Sequence, residues 1–231
     1  MSRSAGPRQL ALSLPHKERF AREDFLEGAA NASALALIDG WPDWPARVVG
    51  LVGPEGSGKS HLAAIWGEAA GARLLSGRAL VDADPPAALA TGALAIEDLS
   101  ADDLDERALF HLLNLAHEEK AHLLITTRTA PTGWSLRTAD LASRLRAVPV
   151  VELKPPDDAL LRAVLIKLFA DRQLDVDQSL VSYLATRIER SFAQARSVVA
   201  EIDRHALGLR RSPTRALAAE ILRDRGVAIE E

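Results

Sequence analysis

Eight consecutive residues, Gly53-Pro54-Glu55-Gly56-Ser57-Gly58-Lys59-Ser60, fit the pattern G-x-x-x-x-G-K-[ST]. Glycines in such a run let the backbone curl until successive N–H groups point inward at an anion, and a helix opening at its end adds the positive pole of its dipole. Lys59 has the reach and charge to meet β- and γ-phosphates, and the Ser60 hydroxyl suits a magnesium ion. A magnesium-bound nucleotide also needs a carboxylate at the end of a neighbouring buried strand. The run Ala93-Leu94-Ala95-Ile96-Glu97-Asp98 offers two. Glu97 stands where it would face the metal, usually through water, and Asp98 where it would orient an attacking water. Thr126 and Thr127, closing another apolar run, are candidates for a polar contact to the γ-phosphate or to that water. The chemistry indicated is binding of ATP or ADP with Mg2+. Hydrolysis would depend on how well water is held, and Asp98, one methylene shorter than glutamate, holds it less well, so slow turnover is expected.

These residues need elements to position them. Residues 48–52 are apolar and β-branched and run straight into the glycines at 53, which marks a buried parallel strand, and a helix is expected over 59–70. The alternation continues with a weak strand over 73–75, strands over 93–96 and 122–126, a helix over 108–118, a short helix over 139–144 and a strand over 148–153. Upstream, a lead-in loop and a helix over 31–37 precede the first strand. Strands alternating with helices imply a parallel sheet with helices on both faces. After Lys154-Pro155-Pro156 the strand pattern ends, and helices fit 158–172, 177–187, 192–207 and 214–223. The expected organisation is a flexible tail over 1–16, a nucleotide-binding α/β domain over 17–155 and a helical lid domain over 156–231.

The 231 residues, 48% of them apolar, suffice for such a core. With 28 basic against 32 acidic residues the formal charge is -4, which argues against a surface given over to polyanion binding. There is no cysteine, so neither a disulfide framework nor a thiolate metal site or nucleophile is available. No apolar run approaches the roughly 20 residues of a membrane span, and the N-terminus lacks the apolar core of a secretory signal. The expected compartment is the cytoplasm.

The order of phosphate loop, acidic strand end, polar strand end, arginine near a helix and helical lid resembles the AAA+ family of ATPases, and within it the DnaA branch of bacterial replication initiators. Four segments carry the resemblance: Gly56-Ser57-Gly58-Lys59-Ser60-His61-Leu62, Arg22-Glu23-Asp24-Phe25-Leu26-Glu27-Gly28, Leu141-Ala142-Ser143-Arg144-Leu145 and Glu152-Leu153-Lys154-Pro155-Pro156-Asp157. It covers about 20–207. It implies a P-loop AAA+ sheet followed by an all-helical lid, with His61 joining the loop residues at the nucleotide and Phe25, Leu26 and Asn31 closing over adenine. It implies that Arg144 is an arginine finger, reaching the γ-phosphate held by another subunit, with Arg146 a nearby substitute. The alternative for Arg144 is a surface arginine paired with Asp140. The family also places a nucleotide-sensing arginine on a lid helix; here Ala193 occupies that place, and Arg190 and Arg196 flank it.

DnaA-type initiators continue into a helix-turn-helix domain that reads DNA. Only residues 210–231 follow the resemblance to the lid, so sequence-specific DNA binding is not expected, and the basic cluster Arg204, Arg210, Arg211 and Arg215 is read as a solvated face. At the other end, Gln9-Leu10-Ala11-Leu12-Ser13-Leu14 resembles the short motif with which bacterial proteins dock on the DNA polymerase sliding clamp, its leucines filling an apolar pocket and its glutamine held at the rim. The alternative is a tail packing on its own domain. The combination resembles the Hda type of regulatory inactivator. That resemblance implies ADP as the preferred nucleotide, the sliding clamp and the initiator DnaA as partners, and it admits a homodimer. A helicase-loading AAA+ ATPase, using Lys59, Glu97 and Asp98 for its own turnover, is the second reading.

Overall fold

The computed structural model describes residues 20–209 and 212–226. The tail carrying Gln9, Leu10, Leu12 and Leu14 lies outside the described residues, as do Arg210 and Arg211.

Five parallel strands form one sheet in the order β2-β3-β4-β1-β5: β1 Val48–Val52, β2 Arg73–Ser76, β3 Ala93–Leu99, β4 His122–Thr127 and β5 Val150–Glu152. The strands in the middle of the sheet are largely apolar because both faces are covered, with polar residues at their ends. On β3, Ala93 and Ala95 pack with Leu51, Leu62 and Trp66, whereas Leu94 and Ile96 pack with Leu109, Leu112 and Leu141. The first layer contains α1 (Ala32–Asp39) and α2 (Lys59–Ala70); the second contains α3 (Pro85–Leu89), α4 (Glu106–Glu118) and α5 (Ala139–Ala147). This is the α/β architecture that the alternating pattern implied.

Beyond β5 come only helices among the described residues: α6 Asp158–Ala170, α7 Gln178–Ala185, α8 Phe192–Leu209 and α9 Arg215–Asp224. They share a core of their own, including Leu165, Phe169, Leu184, Val199 and Ile221. Asp157, Asp177 and Thr214 cap three of them, each side chain accepting the amide of the residue three positions on. Among the described residues no helix is long and apolar enough to cross a membrane.

Several elements depart from their expected bounds. The third strand continues past Ile96 to Leu99 through a bulge, and β5 begins only at Val150, after Pro149, which has no N–H to donate. The short helix α3 opens on Pro85-Pro86, a pair that reads locally as a break but is tolerated in a first turn. Helix α5 extends to Ala147, so Arg144 lies inside it.

Candidate nucleotide-binding site

Strand β1 hands the chain to the glycine run while the ladder is still paired, for the Gly53 amide donates to Thr127 O at 3.1 Å. Gly56 and Gly58 then take φ of +71° and +103°, a region that costs other L-residues about 1–2 kcal/mol. Helix α2 starts at Lys59 with Gly58 at its cap position and no side chain capping its first amides. An uncapped helix start inside a curled loop is built to receive an anion. Lys59 is only 5% exposed, and its Nζ donates to Gly53 O (2.7 Å) and Pro54 O (2.8 Å). Burial lowers its pKa, opposed by the nearby Asp98 carboxylate and reinforced by Arg128. Ser57 is buried with its Oγ unpartnered.

Across the sheet edge, Glu97 comes from β3, two strands from the loop in the sheet order, and its carboxyl group lies near enough to the Ser60 side chain for that neighbour to lower its pKa. Burial raises the Glu97 pKa, the neighbouring Ser60 side chain works against this, and the Asp98 charge adds to it. Its Oε1 is buried without a hydrogen-bond partner. A hydroxyl and a carboxylate side by side fit one edge of a magnesium shell, since that ion keeps several waters and takes its remaining ligands from one or two carboxylates and the phosphates. No group of three or more His, Asp or Glu that could hold a metal alone occurs among the described residues.

Asp98 sits at the bulge with φ +50°, exposed, and its amide is pinned by Thr126 Oγ1 at 2.9 Å. Thr127 donates its hydroxyl to Thr129 O at 2.9 Å. Both threonines are fully buried, and in these bonds their hydroxyls shape the walls of the site.

The lead-in segment closes one side. Asn31 accepts the Gly28 amide and donates to Leu26 O, which folds the loop before α1 back on itself. Phe25 is buried and meets the His61 ring edge-on at 5.1 Å; Phe20 meets the same ring at 5.1 Å, and His61 Nε2 lies 3.0 Å from Ala21 O. The lid closes another side by direct backbone contact. The Phe192 amide donates to Gly56 O at 2.8 Å, and a Cβ added at Gly56 would lie 2.1 Å from Ser191 Oγ and 2.9 Å from Ala193 Cβ. Arg190 pairs with Asp158 at 2.8 Å, and Arg196 lies part-buried within α8.

Arg144 is placed elsewhere, on α5, where it contacts Asp140 at 3.5 Å and lies 5.1 Å from the Phe110 ring centre. Of the basic cluster, Arg215 lies 4.8 Å from the Tyr183 ring centre and Arg204 bonds Ala200 O. Two participants escaped the sequence reading. Ser191 is buried against the loop, and Arg128 ion-pairs with Glu55 at 2.9 Å. A signal for Arg128 existed: it follows Thr127 directly, and a residue just past the end of β4 must emerge beside Gly53.

No family model matches the chain. It is 26% identical over 234 residues to the chromosomal replication initiator protein DnaA of Mycobacteroides abscessus, an alignment covering 89% of this chain and 47% of that protein. Domain III of the Thermotoga maritima replication initiation protein DnaA superposes with a TM-score of 0.75 at 18% identity, over 89% of this chain and 96% of that one. The fold is that of a DnaA-like AAA+ domain. AMPPCP-bound DnaA from Aquifex aeolicus superposes with a TM-score of 0.64 at 17% identity, over 79% of this chain and 64% of that one. The chain thus spans about half the length, 47%, of the curated relative from Mycobacteroides abscessus.

Proposed function

We propose that this DnaA-like chain is a regulator of replication initiation of the Hda type, gated by an adenine nucleotide, ADP in preference. The observation that carries the nucleotide reading is the uncapped start of α2 inside the curled loop, with buried Lys59 beside it and Glu97 near Ser60. Loop amides between Glu55 and Ser60 and the Lys59 ammonium would hold the phosphates; Phe25, Leu26 and His61 would wall the base, with Arg196 reaching from the lid. Ser60 and Glu97 would hold Mg2+, which when bound supplies charge neutralisation. Asp98, turned outward at the bulge, gives only weak positioning of water, so intrinsic turnover should fall well below about 1 per second.

The regulatory part rests on Arg144. Its side chain is 41% exposed, and its contacts with Asp140 and Phe110 are of the surface kind, each worth about 0–1 kcal/mol and readily exchanged. In this reading Arg144 leaves them for the γ-phosphate of ATP held by the initiator DnaA, while the tail from Gln9 to Leu14 docks on the DNA-loaded sliding clamp.

The test measures hydrolysis of DnaA-bound ATP with this protein, clamp and DNA. Arg144→Ala should lose stimulation by about a thousandfold, the range for arginine fingers. Lys59→Ala should weaken nucleotide binding by about a hundredfold, since charge-assisted contacts to phosphate are lost. Absence of stimulation by the unaltered protein would sink the regulatory reading. Turnover by the chain itself, driven by single-stranded DNA and indifferent to clamp, would mark a helicase-loading ATPase.

A further inference from the structure

We propose that Glu106, on the first turn of α4, is a positioning residue for Arg144: it grips the start of α5 and so sets where that arginine reaches in the nucleotide site of DnaA. The inference rests on the reading of Arg144 given above and deepens it by naming what aims the side chain.

Helix α5 has no cap of its own. Thr138 stands at its cap position, and its side chain makes no capping hydrogen bond. The opening amides are held from outside: the Arg137 N–H donates to Glu106 Oε1 and the Thr138 N–H to Glu106 Oε2, both at 2.8 Å. One carboxylate thus takes two successive amides with its two oxygens, a charge-assisted grip that fixes direction as well as distance. It also sets a negative charge against the positive end of the α5 dipole. The Arg137 amide first, then the Thr138 side chain, lower the Glu106 pKa, so the carboxylate is charged at neutral pH. Glu106 is spared from capping its own helix because Asp105 does so, its side chain accepting the Ala108 amide at 2.9 Å.

Helix α4 meets α5 again further along. Phe110, about one turn beyond Glu106, has its ring centre 5.1 Å from the Arg144 guanidinium, and Leu109 and Leu113 share a core with Leu141 and Leu145. Those leucines hold α5 against the second layer, but apolar contact is non-directional and leaves a helix some freedom to slide along its axis. A two-point grip at one end removes that freedom. Ahead of α5, Trp134 Nε1 ties back to Thr129 Oγ1 at 3.1 Å, while Ser135 and Arg137 are exposed. The Glu106 carboxylate is therefore the hold that stands at the helix start itself. An arginine that must meet a phosphate on another molecule tolerates little error, since a misplacement of about 1 Å can cost a hundredfold in rate. Glu106 acts through α5, without touching that phosphate.

Hydrolysis of DnaA-bound ATP, followed against the concentration of this protein with clamp and DNA present, gives a maximal rate and a half-saturating concentration. Glu106→Ala should lower the maximal rate by about ten- to a hundredfold and leave the half-saturating concentration within about threefold. Glu106→Asp, which keeps the charge, should recover part of the loss, whereas Glu106→Gln should not, because its amide sets a donor against a donor. Thr214→Ala removes a helix cap from the lid, serves as the reference for lost stability alone, and should keep the maximal rate within about twofold. The amide resonances of Arg137 and Thr138 should move upfield in Glu106→Ala as their bonds are lost. An unchanged maximal rate in Glu106→Ala, an equal loss in Thr214→Ala, a loss confined to the half-saturating concentration, or unmoved amide resonances would each overturn the proposal. If the unaltered protein stimulated nothing, or Arg144→Ala stimulated as well as it does, the regulatory reading would fall and this inference with it, an outcome distinct from a failure of Glu106 alone.

Discussion

Strands β1 and β4 lie side by side yet begin and end in opposite surroundings. Where they begin, Trp44 stacks on Trp66 with ring centres 4.9 Å apart, Trp41 and Trp44 meet His122 edge-on, and Trp44 Nε1 donates to Leu37 O. Where they end, the chain takes positive φ at Gly56, Gly58 and Asp98, leaves Ser57 Oγ and Glu97 Oε1 unpartnered, and buries an ammonium. The first end is filled by aromatic area and holds the layers together. Unpartnered buried atoms occur at both ends, Trp41 Nε1 and Trp66 Nε1 at the first, and Lys120 also takes positive φ before β4. What sets the second end apart is a buried ammonium close to carboxylates, which costs stability unless a ligand answers it. The same strands thus separate what stabilises the domain from what it is built to bind.

The comparison breaks most readily at Trp66, which is fully buried on α2. Trp66→Ala should cost about 3–5 kcal/mol in urea unfolding, while nucleotide affinity of the folded protein changes by less than about tenfold. A larger loss of affinity would mean that α2 transmits strain from one end to the other. Next in size is Gly56→Ala, for which Gly71→Ala serves as reference. Gly71 also has positive φ, +61°, but open space around its Cβ, so its replacement should cost about 1–2 kcal/mol from backbone strain alone. At Gly56 the clash with Ser191 and Ala193 should add at least about 1 kcal/mol and displace the lid, an excess that unfolding of the two variants reads directly.

Thr126→Val probes the polar end with little change in volume. Loss of the oxygen that holds the Asp98 amide should cost about 1–2 kcal/mol and alter the bulge, seen as shifted amide resonances around Asp98 with β1 unaffected. The smallest effect belongs to His122. Burial and the neighbouring Arg47 lower its pKa from the ordinary 6.5, so the folded state favours the neutral ring. The unfolded chain then binds more protons between the two pKa values, and the contribution is full above 6.5 and lost as pH falls from there through the folded value. His122→Phe should flatten that slope in urea midpoints measured across the window.

The positions of the loop, of α2 and of β1 were legible because each depends on a short stretch. Five apolar residues, three of them β-branched, then three glycines and a helix-forming run specify the strand, the turn and the helix without help from elsewhere. The run ending in Glu97 likewise announced an acid at a strand end. Less legible was the bulge that turns Asp98 to φ +50°, since a single-strand pattern contains no sign of the Thr126 hydroxyl that pins it from the next strand. Helix α3 was hidden by its own prolines.

The sequence alone determined that an anion-binding turn follows a buried strand and opens a helix, because glycine φ, β-branching and helix periodicity are local properties. Tertiary structure alone decided which distant groups stand around that turn. Ser191 and Ala193 reach Gly56 only because the lid docks, Arg128 reaches Glu55 only because β4 pairs beside β1, and Glu97 reaches Ser60 only across an intervening strand. Such meetings depend on strand order and register and on how the lid packs, which arise from the packing of whole faces and leave no mark in any one segment.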